Sequence, residues 1–252
     1  MIEVKRSETT CSACRMRELC MPIGLSSEQM KLIDQMVSTR LKIQRGELLY
    51  QSWQKFKSLY AIRTGFFKTT LSRSDGVEQV SNFYVSGELL GLDGIATNQY
   101  TCNAYALEDS EVCVLHVQQF NDLAIDVHIF QQHIQRIMSH EIVNDKEHLL
   151  LLGSMKSDAR VATFLINSLS RMTTRGQASD ELILRMTREE IGSYLGLTLE
   201  TVSRTFSALA KKGIISVDHR SIKILQPRLL HNIAEHQEQP NCRQALLKAH
   251  VC

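Results

Sequence analysis

One stretch, residues 186–213, constrains the fold most strongly because it combines two helix signatures with a tight turn. Glu190 follows Thr187 at the spacing of a capping box, which predicts a helix start. Gly196 suits the left-handed position that ends a helix, and Thr198 can cap a second one. Four apolar residues at helical spacing are expected to bury one face of the second helix: Leu199, Val202, Phe206 and Leu209.

The opposite face of that second helix is polar, and Glu200, Ser203 and Arg204 share it near the helix start. Such a pair of helices is typical of a helix-turn-helix, whose second helix meets base edges in the DNA major groove. Arginine can bind guanine through two hydrogen bonds, and glutamate can accept one from cytosine. Residues 215–224 then alternate around a short turn, which predicts a hairpin wing. The alternative is an ordinary helical hairpin with a solvated face.

Length and composition exclude several classes of protein. The 252 residues allow one or two domains with a core, and 43% of them are hydrophobic. No apolar run approaches the roughly 20 residues of a membrane span. The first residues lack the apolar segment of a signal peptide, so we expect a cytoplasmic protein. The net charge is only +2, but residues 153–225 carry 11 Lys and Arg against 7 Asp and Glu, which fits DNA binding.

The segment between about residues 41 and 117 changes to short alternating runs punctuated by glycines. These runs predict strands at 58–62, 66–71, 77–84, 102–107 and 111–117. Many short strands at regular spacing indicate a sandwich or jelly roll. Before them, Ser26 and Ser27 open an amphipathic helix with Met30, Ile33 and Val37 on one side, whereas residues 1–10 are polar and expected to be mobile.

Residues 127–152 predict one long helix with an apolar stripe, which permits two interpretations. The helix either packs on its own roll or forms a coiled-coil seam with a second chain. Asp145 falls on the stripe, and if the helix dimerises, the two facing copies would repel and leave dimerisation finely balanced. Alternatively, Asp145 points to water at a break in the stripe or pairs with another residue. After the helix we expect a hinge at 153–158, a helix at 159–171, a loop at 176–180, a strand at 182–186 and a helix at 229–236. The stripe consists of Phe130, Ile134, Met138, Ile142, Leu149 and Leu152.

The chain has seven cysteines, and in a cytosolic protein clustered cysteines favour metal or redox chemistry over disulfides. Cys11, Cys14 and Cys20 bring three thiolates together, whereas zinc and iron–sulfur sites both require four ligands. The fourth ligand must come from a distant segment, and Cys102 and Cys113 are the candidates. Spacing does not choose between zinc and an iron–sulfur cluster. The other two cysteines, Cys242 and Cys252, lie in a polar tail.

Six segments together resemble the FNR branch of the CRP/FNR family of bacterial transcription regulators: CSACRMRELC, KSLYAIRTGFFK, GELLGLDGIA, LEDSEVCVL, IMSHEIVNDKEHLLLL and MTREEIGSYLGLTLETVSRTF. The resemblance spans residues 11 to about 225. With the patterns above, it implies an α+β chain with an N-terminal β-jelly-roll sensor domain, a long dimerisation helix and a C-terminal winged helix-turn-helix domain. The expected boundaries are 1–25 for a cysteine-rich segment, 26–126 for the roll, 127–153 for the helix, 154–228 for the DNA-binding domain and 229–252 for a tail.

The resemblance also implies an oxygen-labile 4Fe–4S cluster, one per subunit. Its ligands would be Cys11, Cys14, Cys20 and Cys113, because LEDSEVCVL matches the ligand-bearing segment of the family. Position 7 is serine, although some members carry an additional cysteine there. Family members with an intact cluster dimerise, bind a two-fold TTGAT…ATCAA-type DNA site and recruit RNA polymerase. Oxygen converts the cluster, loosens the dimer and releases the DNA.

The family's functional positions map onto this sequence residue by residue. Its base-reading residues match Glu200, Ser203 and Arg204. Its inhibitory acidic residue on the dimer helix matches Asp145, and we expect Ile142 on the same stripe to take part in this dimerisation switch. Asp75 and Gly76 fall where the family contacts RNA polymerase, although turn chemistry alone also explains an Asp-Gly pair.

Other functions fit the sequence less well. A cyclic-nucleotide sensor would use Glu88 and a later arginine for the phosphate, but residues 101–104 contain no arginine, so no cyclic nucleotide is expected. A jelly-roll metalloenzyme would need several histidines inside the roll, yet His116 is the only one between residues 41 and 117, so we expect no enzyme. A zinc-stabilised regulator that does not sense oxygen is the alternative, because four thiolates also suit zinc.

Overall fold

The computed structural model describes residues 3–6, 10–14, 20–21, 24–37, 39–72, 75–117, 128–173 and 181–235. Contacts divide the chain into two compact units, Met1–Asp145 and Lys146–Cys252. Within the described ranges, every helix is too short or too polar to cross a membrane. The predicted loop at 176–180 and the tail that contains Cys242 and Cys252 lie outside these ranges.

The first unit is built around two antiparallel sheets. The five predicted strands of the roll are confirmed, with ends that shift by at most two residues. The five-stranded sheet has the order β1-β2-β9-β4-β7, and the four-stranded sheet has the order β3-β8-β5-β6. The strands are β1 (Glu3–Arg6), β2 (Thr39–Ile43), β3 (Leu48–Tyr50), β4 (Ser58–Thr64), β5 (Phe66–Ser72), β6 (Glu78–Val85), β7 (Leu89–Leu90), β8 (Asn103–Ala106) and β9 (Ser110–His116).

The expectation that residues 1–10 are mobile is wrong for Glu3–Arg6. These residues form β1, which pairs with β2 in antiparallel register from Glu3↔Lys42 to Arg6↔Thr39. Without β1, the edge of β2 would leave backbone groups unpaired. The pairing uses main-chain hydrogen bonds, which a polar sequence can also form. The strand therefore has no alternating apolar pattern from which it could be predicted.

Among the described residues, one α-helix lies within the first unit and a second begins in it and continues past Asp145. Helix α1 (Ser27–Met36) begins at a capping box between Ser26 and Gln29, and Met30, Ile33 and Val37 are buried as predicted. Helix α2 (His128–Ser154) is about 40 Å long at 1.5 Å per residue.

The apolar stripe of α2 divides into two parts. Phe130 and Ile134 are 3% and 5% exposed and belong to the core of the roll. Met138, Ile142 and Leu149 are 37%, 54% and 68% exposed. The first turns therefore form a core helix, as one interpretation predicted. From Met138 to Leu149 the stripe is an apolar surface of the single chain, whereas Leu152 is half-buried.

The second unit packs helices against a three-stranded sheet of order β10-β12-β11. The predicted helices are present, and the predicted strand at 182–186 is shorter, at Glu181–Ile183. The elements are α3 (Ser157–Thr173), β10 (Glu181–Ile183), α4 (Arg188–Leu195), α5 (Leu199–Lys211), β11 (Ile215–Asp218), β12 (Ser221–Ile224) and α6 (Pro227–Glu235).

The predicted hinge at 153–158 is much shorter than expected. Only Met155 and Lys156 separate α2 from α3. The guanidinium of Arg160 explains the tight connection, because it donates to the carbonyls of Leu152 at 2.7 Å and Met155 at 2.9 Å. A third bond, at 2.9 Å, reaches the carbonyl of Leu195 at the end of α4.

Candidate nucleic-acid interface and cysteine pocket

Local chemistry positions the two helices of the helix-turn-helix as the sequence predicted. The Thr187 hydroxyl accepts from the Glu190 N–H at 3.1 Å, and the Glu190 carboxylate accepts from the Thr187 N–H at 2.6 Å. Gly196 ends α4 in the left-handed region with a φ of 62°. The Thr198 hydroxyl caps α5 by accepting from the Thr201 N–H at 3.2 Å. The turn is confirmed in each of these details.

One face of α5 packs inward, with one correction to the prediction. Val202, Phe206 and Leu209 are at most 3% exposed, but Leu199 is 45% exposed. Leu199 is the first residue of the helix and precedes the packed turns. Thr205 is buried instead, and its hydroxyl donates to the Thr201 carbonyl at 2.9 Å.

The outward face of α5 carries the three predicted DNA-reading residues. Glu200, Ser203 and Arg204 are all exposed and close together near the helix start. The pKa of Glu200 is lowered by a hydrogen bond from its own backbone N–H, by one from Thr198 and by the charge of Arg204. Glu200 is therefore a carboxylate at neutral pH, which accepts hydrogen bonds, beside a guanidinium that donates them.

The wing is also confirmed. Strands β11 and β12 pair from Ile215↔Ile224 to Asp218↔Ser221 and leave a two-residue turn. His219 in this turn has a φ of 50°, the left-handed region that such a turn requires.

Arg188, the first residue of α4, was not predicted from the sequence and packs against the inward face of α5 at Phe206. Its guanidinium lies 3.6 Å from the centre of the Phe206 ring, and burial lowers its pKa. The capping box predicted the helix start, but no local pattern predicts a ring contact between two helices.

The four cysteines that the resemblance selected line one pocket of the first unit. Cys11 and Cys14 lie in a turn in which the Cys14 N–H donates to the Cys11 carbonyl at 3.2 Å, and Cys113 lies on β9. Cys20 completes the set. The rest of the lining that the structure describes is mainly apolar, and its one charged side chain is Arg63; the apolar residues are Met21, Val37, Ala61, Leu89, Leu115, Phe130 and Ile134.

Cys102, the other candidate, lies elsewhere. It precedes β8 rather than lying on a strand as expected. Its sulfur is 3.6 Å from a carboxylate oxygen of Asp93 and 4.0 Å from the hydroxyl of Tyr50. Burial raises the pKa of this thiol to about 12, with the charge of Asp93 adding to the effect.

Burial also raises the pKa of two thiols of the four-cysteine pocket, Cys11 and Cys113. The pKa of Cys11 is raised to about 12, mainly by burial and in addition by the nearby Cys113, Asp34 and Cys14. Burial likewise raises the pKa of Cys113, against which the charge of Arg40 acts. A buried thiol with a raised pKa stays protonated at neutral pH. A bound metal or cluster would supply the positive charge that stabilises such cysteines as thiolates.

The residues present fit a sulfur-rich cluster. Four sulfurs face one apolar pocket, and the Nε of Arg63 is a buried donor that meets no acceptor among the described residues. An inorganic sulfide or thiolate would accept from it. Across the described ranges, no three side chains of His, Cys, Asp or Glu form a site for a single metal ion.

The remaining predicted positions are all exposed. Ile142 and Asp145 lie on α2. Asp75 and Gly76 occupy the turn between β5 and β6, where the Asp75 carboxylate accepts from the Val77 N–H at 3.1 Å and Gly76 has a φ of 81°. Turn chemistry explains both residues of that pair.

A β-roll, a long helix and a winged helix-turn-helix together define a DNA-binding transcription regulator. Residues 159–233 match the Crp-like helix-turn-helix domain, and residues 40–126 match the cyclic nucleotide-binding domain. The transcriptional regulatory protein btr of Bordetella pertussis is 39% identical over 215 residues, which cover 85% of this chain and 89% of that protein. The fumarate and nitrate reduction regulatory protein of Vibrio cholerae is 38% identical over 224 residues, which cover 89% and 90%.

Among solved structures, FixK2 from Bradyrhizobium japonicum superposes with a TM-score of 0.71 at 30% identity, covering 77% of this chain and 96% of that one. The chain belongs to the FNR branch of the CRP/FNR family of bacterial transcription regulators. Family membership and the observed helix-turn-helix support DNA binding by a dimeric regulator.

Proposed function

We propose that this chain is an oxygen-responsive regulator of anaerobic metabolism genes, which holds one 4Fe–4S cluster through Cys11, Cys14, Cys20 and Cys113. One observation carries the proposal: these four cysteines line a single apolar pocket, whereas Cys102 lies apart beside Asp93. When bound, the cluster supplies reactivity toward oxygen and a crosslink between the N-terminal segment and β9.

The first turns of α2 connect this pocket to the dimerisation surface. Phe130 and Ile134 line the pocket, and His133 bonds to the backbone of Cys20. Ile142 and Asp145 lie on the exposed part of the same helix. A change in how the cysteines are held therefore alters the packing of the helix that carries the dimer surface. A shift of a few kcal/mol in a two-state balance is enough to change its populations greatly.

Dimerisation determines DNA binding in this scheme. Two copies of α5 would present Glu200, Ser203 and Arg204 to the half-sites of a two-fold TTGAT…ATCAA-type sequence, about one helical turn apart. A monomer engages one half-site and loses the gain from joint binding. Bound dimers would activate or repress transcription through RNA polymerase, with the turn at Asp75 and Gly76 as one contact.

The same roll is proposed to work without a cyclic nucleotide. The carboxylate of Glu88 accepts from the Val85 N–H at 2.9 Å and thereby holds the adjacent turn. Residues 101–104 supply no arginine for a cyclic phosphate.

Iron and acid-labile sulfide per chain in anaerobically purified protein test the proposal. We expect about four of each, and a visible spectrum that bleaches when air is admitted. Cys113→Ser should lose both, whereas the matched Cys102→Ser should retain them. One zinc per chain without sulfide would overturn oxygen sensing and leave the DNA-binding function intact.

A further inference from the structure

Three charged side chains lie beside the cysteine pocket on three neighbouring strands. In the register of the five-stranded sheet, Arg40 on β2 lies opposite Cys113 on β9, and Ala61 on β4 lies opposite Cys113 on the other side. Side chains alternate along a strand, so Glu111 shares the face of Cys113. Arg63 reaches this face next to an irregularity of β4, where the register shifts between Ile62 and Thr64.

Glu111 joins the two arginines into one network. One of its carboxylate oxygens accepts a hydrogen bond from Arg63, and the other lies 3.9 Å from the guanidinium of Arg40. The three side chains are 6%, 32% and 21% exposed for Arg40, Arg63 and Glu111. Two guanidiniums against one carboxylate give this three-residue network a net charge of +1.

Arg63 is oriented toward the sulfurs as well as toward Glu111. It lines the pocket and is within hydrogen-bonding range of Cys14. Its Nε is buried and meets no acceptor in the part of the chain that the structure describes. The ion pair with Glu111 uses a terminal nitrogen of Arg63 and does not explain why its Nε is buried. Burying a donor without an acceptor is unfavourable, so this N–H is available to an acceptor that binds in the pocket.

We propose that Arg63, held by Glu111 and supported by Arg40, donates a hydrogen bond to a sulfur of the cluster and offsets the negative charge of its four thiolates. Net charge and hydrogen bonds to sulfur set how readily an iron–sulfur cluster gives up an electron. The two arginines therefore slow oxidation of the cluster, and Glu111, which positions Arg63 but carries a negative charge, partly offsets them. This inference rests on the proposed function.

The test is the rate at which the visible absorbance of the anaerobically loaded protein falls at a fixed concentration of dissolved oxygen. In the first step the cluster loses one electron and oxygen gains it. Molecular oxygen carries no charge, so a change of charge beside the cluster does not alter the rate at which oxygen reaches the cluster. We expect Arg63→Met to react roughly tenfold faster, because a charge-assisted hydrogen bond is lost. Arg63→Lys, similar in size to methionine but charged, should restore most of the slow rate.

Lys55→Met is the matched control, because Lys55 is exposed and belongs to neither the network nor the pocket lining. It should react at the wild-type rate. Equal rates for Arg63→Met and Lys55→Met, or for Arg63→Met and Arg63→Lys, would overturn the inference.

A second variant covers the case in which Arg63→Met does not fold. Glu111→Gln keeps an oxygen that can accept from Arg63 and removes the negative charge, so it should slow oxidation; a wild-type or faster rate in Glu111→Gln would also overturn the inference. Absence of iron and sulfide from the wild-type chain would instead overturn the proposed function, and the two failures are therefore distinct.

Discussion

Arg160 is expected to hold the helix-turn-helix against the end of α2. Its three hydrogen bonds reach the carbonyls of Leu152, Met155 and Leu195 at 2.7–2.9 Å. The last carbonyls of a helix have no partner within the helix, and both α2 and α4 end here. Arg160→Met keeps much of the aliphatic stem and removes all three donors.

The magnitude follows from the number and exposure of these bonds. A hydrogen bond from a charged donor contributes about 1.5–3 kcal/mol when buried. Arg160 is only partly buried, so we take about 1 kcal/mol for each bond after allowing for solvent screening. The sum of about 3 kcal/mol corresponds to a roughly 150-fold increase in local opening.

Hydrogen–deuterium exchange of the full chain measures this opening directly. Amides of α4 and of the following turn should exchange much faster in Arg160→Met than in the wild type. Arg228→Met on α6 is the matched control, because Arg228 is exposed. Equal protection of these amides in the two variants would refute the assignment of Arg160 as the residue that joins the two helix ends.

Four further predictions concern other parts of the molecule. Arg204→Ala should weaken DNA binding by about 1–3 kcal/mol and relax one base per half-site in assays with substituted operators, and a uniform loss would instead indicate a phosphate contact. Asp145→Ala should favour dimers in air by removing like-charge repulsion, and monomers in analytical ultracentrifugation would contradict this. Gly192→Ala places a Cβ 2.6 Å from the Leu197 carbonyl oxygen and should lower stability by about 1–3 kcal/mol, so an unchanged Tm would be inconsistent with that contact. Burial raises the pKa of Cys11 from 9.0 to about 12, so the stability contributed by its neutral thiol is complete below pH 9.0 and is lost as the pH rises toward about 12. Denaturant unfolding of the metal-free chain should show a free energy of unfolding that falls with pH in this range. Cys11→Ala should reduce that dependence on pH.

Local signals were sufficient for the elements of the DNA-binding half. The capping box at Thr187, the left-handed Gly196 and the cap at Thr198 act within a few residues, so the sequence contains their complete description. The strands of the roll were predictable from alternation for the same reason. Leu199 was misassigned because periodicity places it on the buried face without showing where the packed turns begin.

The network of Arg40, Arg63 and Glu111 could not be predicted from local signals. Its members lie on three strands, and only the pairing of β2, β9 and β4 places them together. Strand β1 was also not predicted, because it pairs with β2 through backbone groups that every residue has, and no side-chain pattern marks it.

The sequence by itself determined the helix-turn-helix, the strands of the roll and the cluster of three cysteines, since each depends on spacing along the chain. It left Cys102 and Cys113 as equal candidates by spacing, and resemblance alone favoured Cys113. The tertiary structure placed Cys113 in the pocket with Cys11, Cys14 and Cys20, and Cys102 beside Asp93. The physical reason is strand pairing: β9 lies between β2 and β4, and its register decides which side chains meet the distant N-terminal segment.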